Sequence, residues 1–318
     1  MNYFAYKNNE LFCEDINLQE IAQKFGTPSY IYSKKTIESN IDVYKNAFKK
    51  KDNLICFSVK SLSNISILNI LREKGCGFDI VSGGELQRAL YVKTNPKKIV
   101  FSGVGKSNYE ILEGINNEIL SFNIESESEL TRIEKVASEN NKIVDVAIRF
   151  NPEVDSGGHE YIKTGRKGDK FGISSNKLVL KLSEYIYNSD NLRLIGLACH
   201  IGSQIADLES YKSTAINIKK LAEDIDKTGN ELKFLDLGGG LGIPYKDDKT
   251  PSPEELVSII EGELKDRKEK IILEPGRSIT GNAGVLLTKV EYVKDNFLIV
   301  DAAMNDLIRP ALYDASHD

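Results

Sequence analysis

Eight short apolar segments recur along the chain, each followed by a stretch long enough for an amphipathic helix, and no other feature restricts the fold as much. They are residues 54–59, 77–81, 99–102, 119–123, 143–150, 194–200, 234–237 and 271–273. Apolar strands that alternate with helices call for a parallel sheet covered by helices. Eight such units are the number that closes a (β/α)8 barrel, so the expected class is α/β, a TIM barrel. A doubly wound open sheet competes, but it announces itself with G-x-G-x-x-G near its first strand, and this chain has none there. Helix starts support the reading: Asn17 with Glu20, Ser126 with Glu129, and Ser252-Pro253-Glu254-Glu255 all read as N-terminal caps.

The texture changes after Arg277. Residues 284–293 and 297–300 read as two strands of a hairpin turning at Lys294-Asp-Asn296. The sequence ends at Asp318, and the expectation is a complete barrel over 31–280 joined to the start of a β-domain over 281–318 that is incomplete. The N-terminal segment, 1–30, is expected to pair with that β-domain. The stretch from Asn151 to Gly172 is long for a barrel loop and follows the fifth strand, which favours a functional lid.

Composition narrows the partners. A net charge of −5 gives no electrostatic reason to expect nucleic acid or an anionic membrane. No apolar run approaches a membrane span, and the N-terminus lacks the basic and apolar regions of a signal peptide. The four cysteines show neither C-x-x-C nor a metal-ligand spacing, so no metal is expected and a reduced, cytoplasmic protein fits best.

The chemistry gathers where the seventh and eighth strands end. Leu237-Gly238-Gly239-Gly240-Leu241-Gly242 and Leu273-Glu274-Pro275-Gly276-Arg277 each follow an apolar strand. Loops after these strands form the usual phosphate site of a barrel, because glycines let backbone N–H groups approach an anion closely. Lys60 closes the first strand in Ile55-Cys-Phe-Ser-Val-Lys60. A lone lysine there reads as a rim charge; two phosphate cradles on the same face point instead to a Schiff-base lysine holding pyridoxal phosphate, which carries both an aldehyde and a phosphate. His200, at the end of the sixth strand, is either a structural hydrogen bonder or a ring for stacking on a pyridine, and Gly202 and Ser203 beside it offer a further phosphate donor. Glu274 is either a cap or the carboxylate that holds a pyridine nitrogen protonated. Arg277 is a candidate clamp for a substrate carboxylate.

Taken together these stretches resemble the diaminopimelate decarboxylases, fold-type III pyridoxal-phosphate enzymes of the alanine-racemase-like barrel group. The resemblance runs nearly end to end: Phe57-Ser-Val-Lys60, Gly77-Phe-Asp-Ile-Val-Ser-Gly-Gly-Glu85-Leu86, Asn123-Ile-Glu-Ser-Glu-Ser-Glu129, Lys170-Phe-Gly172, His200-Ile-Gly-Ser-Gln204, Asp236-Leu-Gly-Gly-Gly240, Glu274-Pro-Gly-Arg277 and Asp301 through Tyr313. It implies that Lys60 carries the cofactor and that His200 stacks on its ring. It further implies that Ser203, Gly238, Gly239, Gly240, Glu274, Pro275, Gly276 and Arg277 hold the phosphate and the ring nitrogen. Arg277, Arg309 and Tyr313 would bind the far end of a small amino-acid substrate. The implied reaction is decarboxylation of meso-2,6-diaminopimelate to L-lysine, the last step of lysine biosynthesis, in a homodimer with a composite active site. The chain departs from the pattern at Ser61 and Leu62, where the family has Ala-Asn, and it stops before the family's Cys-Glu-Ser-Gly motif, the source of the implied proton donor; Cys13, Cys56, Cys76 and Cys199 do not match that motif.

Two alternatives share most of these residues. One is a decarboxylase of ornithine, arginine, lysine or carboxynorspermidine; Arg309 argues for a distal carboxylate instead. The other is a truncated pyridoxal-phosphate-binding protein without catalysis, for which Lys60, His200, Glu274, Arg277, Arg309 and Tyr313 together would be superfluous.

Overall fold

The computed structural model describes residues 3–49, 52–154, 170–245, 249–315 and 317. An antiparallel sheet of β1 (Phe4–Lys7), β2 (Glu10–Cys13) and β3 (Ile16–Asn17) opens the chain. Helix α1 (Leu18–Phe25) follows, and the Asn17 side chain accepts from Gln19 N at 2.8 Å to cap it. Strand β4 (Ser29–Tyr32) leads into α2 (Lys34–Ala47), which buries Ile37, Ile41 and Tyr44.

The barrel then runs in strict alternation. Its strands are β5 (Leu54–Ser58), β6 (Gly77–Ile80), β7 (Ile99–Phe101), β8 (Ser121–Ile124), β9 (Val144–Arg149), β10 (Leu192–Ala198), β11 (Phe234–Asp236) and β12 (Lys270–Leu273). Every neighbouring pair is parallel, and the pairing of Ile272 with Leu54 and Leu273 with Ile55 closes the ring. Between the strands lie α3 (Ile65–Glu73), α4 (Gly83–Tyr91), α5 (Asn108–Asn116), α6 (Glu127–Glu139), α7 (Asn176–Tyr187), α8 (Leu208–Asp226) and α9 (Pro253–Glu263). All eight expected strands are present with ends shifted by no more than a few residues. Ser252 and Glu255 form the reciprocal capping box at α9. At α6 only half of it forms: Ser126 caps Glu129 N, while the Glu129 carboxylate turns to Glu125 N and the Lys106 ammonium, each at 2.7 Å. A buried ammonium competes for that carboxylate better than an exposed backbone N–H does.

Side chains alternate along a strand, so residues two apart share the barrel interior. Cys56, Val100, Ala147, Ile195, Phe234 and Ile272 form an apolar tier. Two residues on, toward the carboxyl ends of their strands, stand Ser58, Ser102, Arg149, Asp236 and Glu274, and Asp79 and Asn123 join them from β6 and β8; all are buried. The apolar tier seals one end of the barrel, and the polar tier is the floor of its catalytic-end mouth. Phe234 fills the seal so tightly that a Cβ on Gly196 would come 2.3 Å from its ring.

After the barrel come the short helix α10 (Arg277–Thr280), strands β13 (Gly284–Leu287), β14 (Val290–Lys294) and β15 (Phe297–Val300), and helix α11 (Arg309–Tyr313). The stretch 284–293 is therefore two strands rather than one. β13 pairs antiparallel with β4, and β14 pairs with β15. The break is set by Asp301, whose carboxylate accepts from Thr288 Oγ1 at 2.6 Å, Lys289 N at 2.9 Å and Thr27 Oγ1 at 2.5 Å. The hydroxyls of Thr27 and Thr288 hold that carboxyl down at about 2. Most of the 151–172 stretch, residues 155–169, lies outside the described residues. Among the described residues no helix is long and apolar enough to cross a membrane.

Truncating the plug of the apolar tier, Phe234→Ala, should lower stability by about 3–5 kcal/mol in urea unfolding, because the surrounding strands cannot collapse into the space. A loss below about 1 kcal/mol would show that the tier relaxes freely.

Candidate active site

Strand β5 ends at Ser58, and a single 3-10 turn, Val59–Ser61, carries the chain over the barrel mouth. Ser61 Oγ donates to Ser58 O at 2.7 Å, and Ser58 N donates to Pro275 O at 3.1 Å, so the turn is fastened to the end of β12. Lys60 projects from it. Its Nζ donates to Asp79 Oδ2 and Ser58 Oγ, each at 2.7 Å, and Ser58 Oγ donates to Asp79 Oδ2 at 2.5 Å. Burial pulls the ammonium toward neutrality, but the Asp79 carboxylate, helped by Glu274, outweighs it, and the net direction is upward. For Asp79 burial pushes upward, and the Lys60 charge and hydrogen bonds carry the net result below the ordinary carboxylate range. With 48% of its side-chain surface accessible, Lys60 can still meet a ligand in the mouth.

Two further buried carboxyls share this floor. Asp236 Oδ1 accepts from Gly238 N at 2.9 Å, whereas Asp236 Oδ2 and Glu274 Oε1 are buried with no hydrogen-bond partner. Burial first, and mutual repulsion with Asp79 second, raise Asp236 to about 7. Glu274 is pushed well above the ordinary range by burial and by the negative charges of Asp236 and Asp79. Opposite them, Arg149 Nη1 donates to Glu125 Oε1 at 3.0 Å, and Glu125 also accepts from the backbone N–H of Gly103 and Gly172 at 2.9 and 3.0 Å.

The loop after β11 has no room for side chains. A Cβ on Gly239 would lie 2.0 Å from Glu274 O, and one on Gly240 2.2 Å from Gly202 O. Gly238 and Gly240 also take φ values of +67° and +94°, which favour glycine. The N–H groups of Gly238 and Gly239 are already engaged, by Asp236 and by His200 Nδ1 at 3.1 Å. The N–H groups of Gly240, Gly276 and Arg277 have no acceptor among the described residues. Those three N–H groups are thus open to an anion in the mouth, while Gly238 and Gly239 pack closely against the neighbouring loops. Accepting that bond at Nδ1 also fixes the His200 tautomer with its proton on Nε2. Burial, then the charges of Lys60 and Arg149, lower His200 to about 3, so the ring is neutral.

Arg277 and Arg309 come from different elements and meet around Tyr245. Arg277 Nη1 donates to the Tyr245 hydroxyl at 2.8 Å, and its Nε and Nη2 each lie 3.4 Å from Ser203 Oγ. The Arg309 guanidinium sits 4.2 Å from the centre of the Tyr245 ring. Tyr313 closes α11 four residues beyond Arg309, on the same helical face. Sequence reasoning missed Ser58, Asp79, Arg149, Asp236 and Tyr245. The first four carry a signal in hindsight, since each is a polar residue two places beyond an inward position near the end of a barrel strand; Tyr245 carries none. All four cysteines are buried and free.

Residues 34–281 match the family described as pyridoxal-dependent decarboxylase, pyridoxal binding domain. The diaminopimelate decarboxylase of Haemophilus influenzae is 46% identical over 322 residues, covering 99% of this chain and 77% of that protein. Its counterpart from Aquifex aeolicus is 45% identical over 320 residues, covering 99% and 76%. The crystal structure of diaminopimelate decarboxylase from Helicobacter pylori complexed with L-lysine has a TM-score of 0.92 at 41% identity, covering 95% of this chain and 77% of that one. This chain belongs to the diaminopimelate decarboxylase family of pyridoxal-dependent decarboxylases.

The residues present fit the cofactor of that family. The decarboxylase fold leaves a reachable lysine amine for its aldehyde, and the unpartnered, buried Glu274 Oε1 needs a donor such as a ring N–H. Three free backbone N–H groups suit its phosphate, and a neutral imidazole offers a flat face.

In the cofactor-free decarboxylase, Asp236 and Glu274 bind protons more tightly folded than unfolded. Their contribution is fullest at acid pH and is lost as pH rises through the folded value, about 7 for Asp236. Lys60 and Asp79 shift away from this window and are flat across it, while His200, lowered to about 3, adds stability as pH rises to its ordinary value of about 6.5 and is flat above it. The melting temperature of cofactor-free protein should thus fall between pH 6.5 and 8, above the range in which His200 contributes, and Glu274→Gln should reduce that fall by removing one of the repelling charges. An unchanged slope in Glu274→Gln would contradict the assignment.

Proposed function

We propose that this chain catalyses the decarboxylation of meso-2,6-diaminopimelate to L-lysine and CO2, the last step of lysine biosynthesis, with pyridoxal phosphate held by Lys60, His200, Gly240, Glu274, Gly276 and Arg277. The observation that carries the substrate assignment is the pair of guanidiniums, Arg277 and Arg309, gathered around Tyr245. A carboxylate at the far end of the substrate meets them with bidentate, charge-assisted hydrogen bonds. An ammonium at that end, as in lysine or ornithine, meets two like charges instead.

Pyridoxal phosphate, when bound, supplies an aldehyde for the substrate amine and a protonated ring that accepts the electron pair left as CO2 departs. This chain's residues prepare the site for that chemistry. Lys60 must give up a proton before its amine can act as a nucleophile; Asp79 Oδ2, at 2.7 Å, holds the ammonium in place and stabilises its charged form. Glu274, buried where water cannot screen it, would hold the ring nitrogen of a bound cofactor and favour its protonated form. His200, neutral at working pH, would offer a flat face to the ring without adding a cation beside it. Ser203 and Tyr245 hold Arg277, and with it one side of the distal carboxylate site.

We further infer that the enzyme acts in the cytoplasm as a homodimer. Four free buried thiols suit a reducing compartment. The β14–β15 hairpin exposes Val290, Tyr292, Val293, Phe297, Leu298 and Ile299, an apolar surface that an assembled form would cover.

Assaying CO2 release across meso-diaminopimelate, L-lysine, L-ornithine and L-arginine tests the proposal. Turnover of meso-diaminopimelate to L-lysine is expected, with the other three far slower. In Arg309→Ala, substrate binding should weaken by about 1.5–3 kcal/mol, the worth of a charged hydrogen-bond partner, while cofactor affinity holds. Preference for a substrate with a distal ammonium, or equal losses for substrate and cofactor, would overturn it.

A further inference from the structure

We propose that Tyr245 is a positioning residue that sets the geometry of the distal carboxylate site, and so the preference for a substrate that ends in a carboxylate. The inference rests on the function proposed above. Two guanidiniums in one corner of a site repel each other, and each needs a neutral partner to stay there. Tyr245 offers both kinds: its hydroxyl oxygen accepts from Arg277 Nη1 at 2.8 Å, and its ring face receives Arg309 at 4.2 Å. Among the described residues the Arg277 guanidinium donates to the neutral Tyr245 and Ser203 hydroxyls rather than to a carboxylate.

The placement of Tyr245 is itself fixed by the cofactor cradle. Two residues before it, Ile243 N donates to Gln204 Oε1 at 3.2 Å, and Gln204 Nε2 donates back to Ile243 O at 2.5 Å. Just upstream, Ile205 N donates to Gly240 O at 2.9 Å and Gly242 N to Ile205 O at 3.0 Å. The segment from Gly238 to Tyr245 is thus stitched to the loop after β10 that carries His200 and Ser203. One loop supplies cradle glycines at its start and the spacer between two arginines at its end. The distance from reacting centre to distal site is thereby set within a single short segment, which is what selects a substrate by length as well as by charge.

The experiment compares wild-type holoenzyme with Tyr245→Phe, which keeps the ring under Arg309 but loses the acceptor for Arg277, and with Tyr245→Leu, which loses both. For each, kcat and KM for meso-diaminopimelate are measured, together with inhibition by pimelate, an unreactive dicarboxylate of the same chain length, and by hexanoate, which lacks the distal carboxylate. The visible absorption of the bound cofactor is recorded alongside. Tyr245→Phe should raise KM and the pimelate inhibition constant by about tenfold, and Tyr245→Leu by about a hundredfold. In both, kcat should stay within about threefold, hexanoate inhibition should not change, and the cofactor spectrum should be that of wild type. A residue that only supports the fold would lower kcat, cofactor occupancy and melting temperature together; that pattern in Tyr245→Phe, or an unchanged pimelate constant, overturns the proposal. Should wild type fail to decarboxylate meso-diaminopimelate while still binding pimelate in a Tyr245-dependent way, the substrate assignment falls and the role of Tyr245 in holding a dicarboxylate stands.

Discussion

The ion pair between Lys60 and Asp79 is the interaction on which the site depends. A lysine and three carboxyls, Asp79, Asp236 and Glu274, occupy the polar floor of one barrel, and only one carboxyl has the lysine for a direct partner. Burying charge away from an opposite charge is expensive, so burial and the neighbouring carboxylates push Asp236 and Glu274 upward, toward their protonated forms. The floor is therefore built with proton capacity in excess of what its own groups satisfy.

The barrel makes this arrangement possible because its interior has a direction. The apolar tier around Phe234 and Ile195 supplies the burial, and the step of two residues to the next inward position delivers the polar groups to the carboxyl ends of the strands. The loops then fasten to one another. The turn bearing Lys60 is tied to Pro275, the His200 ring to Gly239, and the Gly238–Tyr245 segment to Gln204 and Ile205. The glycine loop, Lys60, His200 and Tyr245 are consequently positioned by a shared set of loop contacts, and displacement of one loop would be felt by the others.

Much of this was legible in the sequence, for local reasons. The eight strands could be read because parallel strands buried on both faces must be apolar throughout. Lys60, His200, Glu274 and Arg277 stood out because each ends or follows such a strand. Asp79 and Asp236 sat inside recognisable motifs, but nothing local marks a carboxyl as buried against others from strands dozens of residues away. Tyr245 was invisible for the same reason: its two arginines lie 32 and 64 positions further along the chain. The division of 284–293 into two strands depends on Asp301 and Thr27, which no pattern within those ten residues could reveal. The glycines after β11 do allow close approach, here of backbone to backbone, but which of their N–H groups remain free is decided by Asp236 and His200, and that is not local to the loop.

The central proposal is that Glu274, buried beside Asp236, keeps the cofactor's ring nitrogen protonated. Nitrogen-15 NMR of the holoenzyme loaded with ring-labelled pyridoxal phosphate reads that proton directly. The account predicts a protonated ring nitrogen from pH 6 to 8, lost when Glu274 is replaced by alanine. An unprotonated ring nitrogen in the native enzyme, or one indifferent to Glu274, would contradict it.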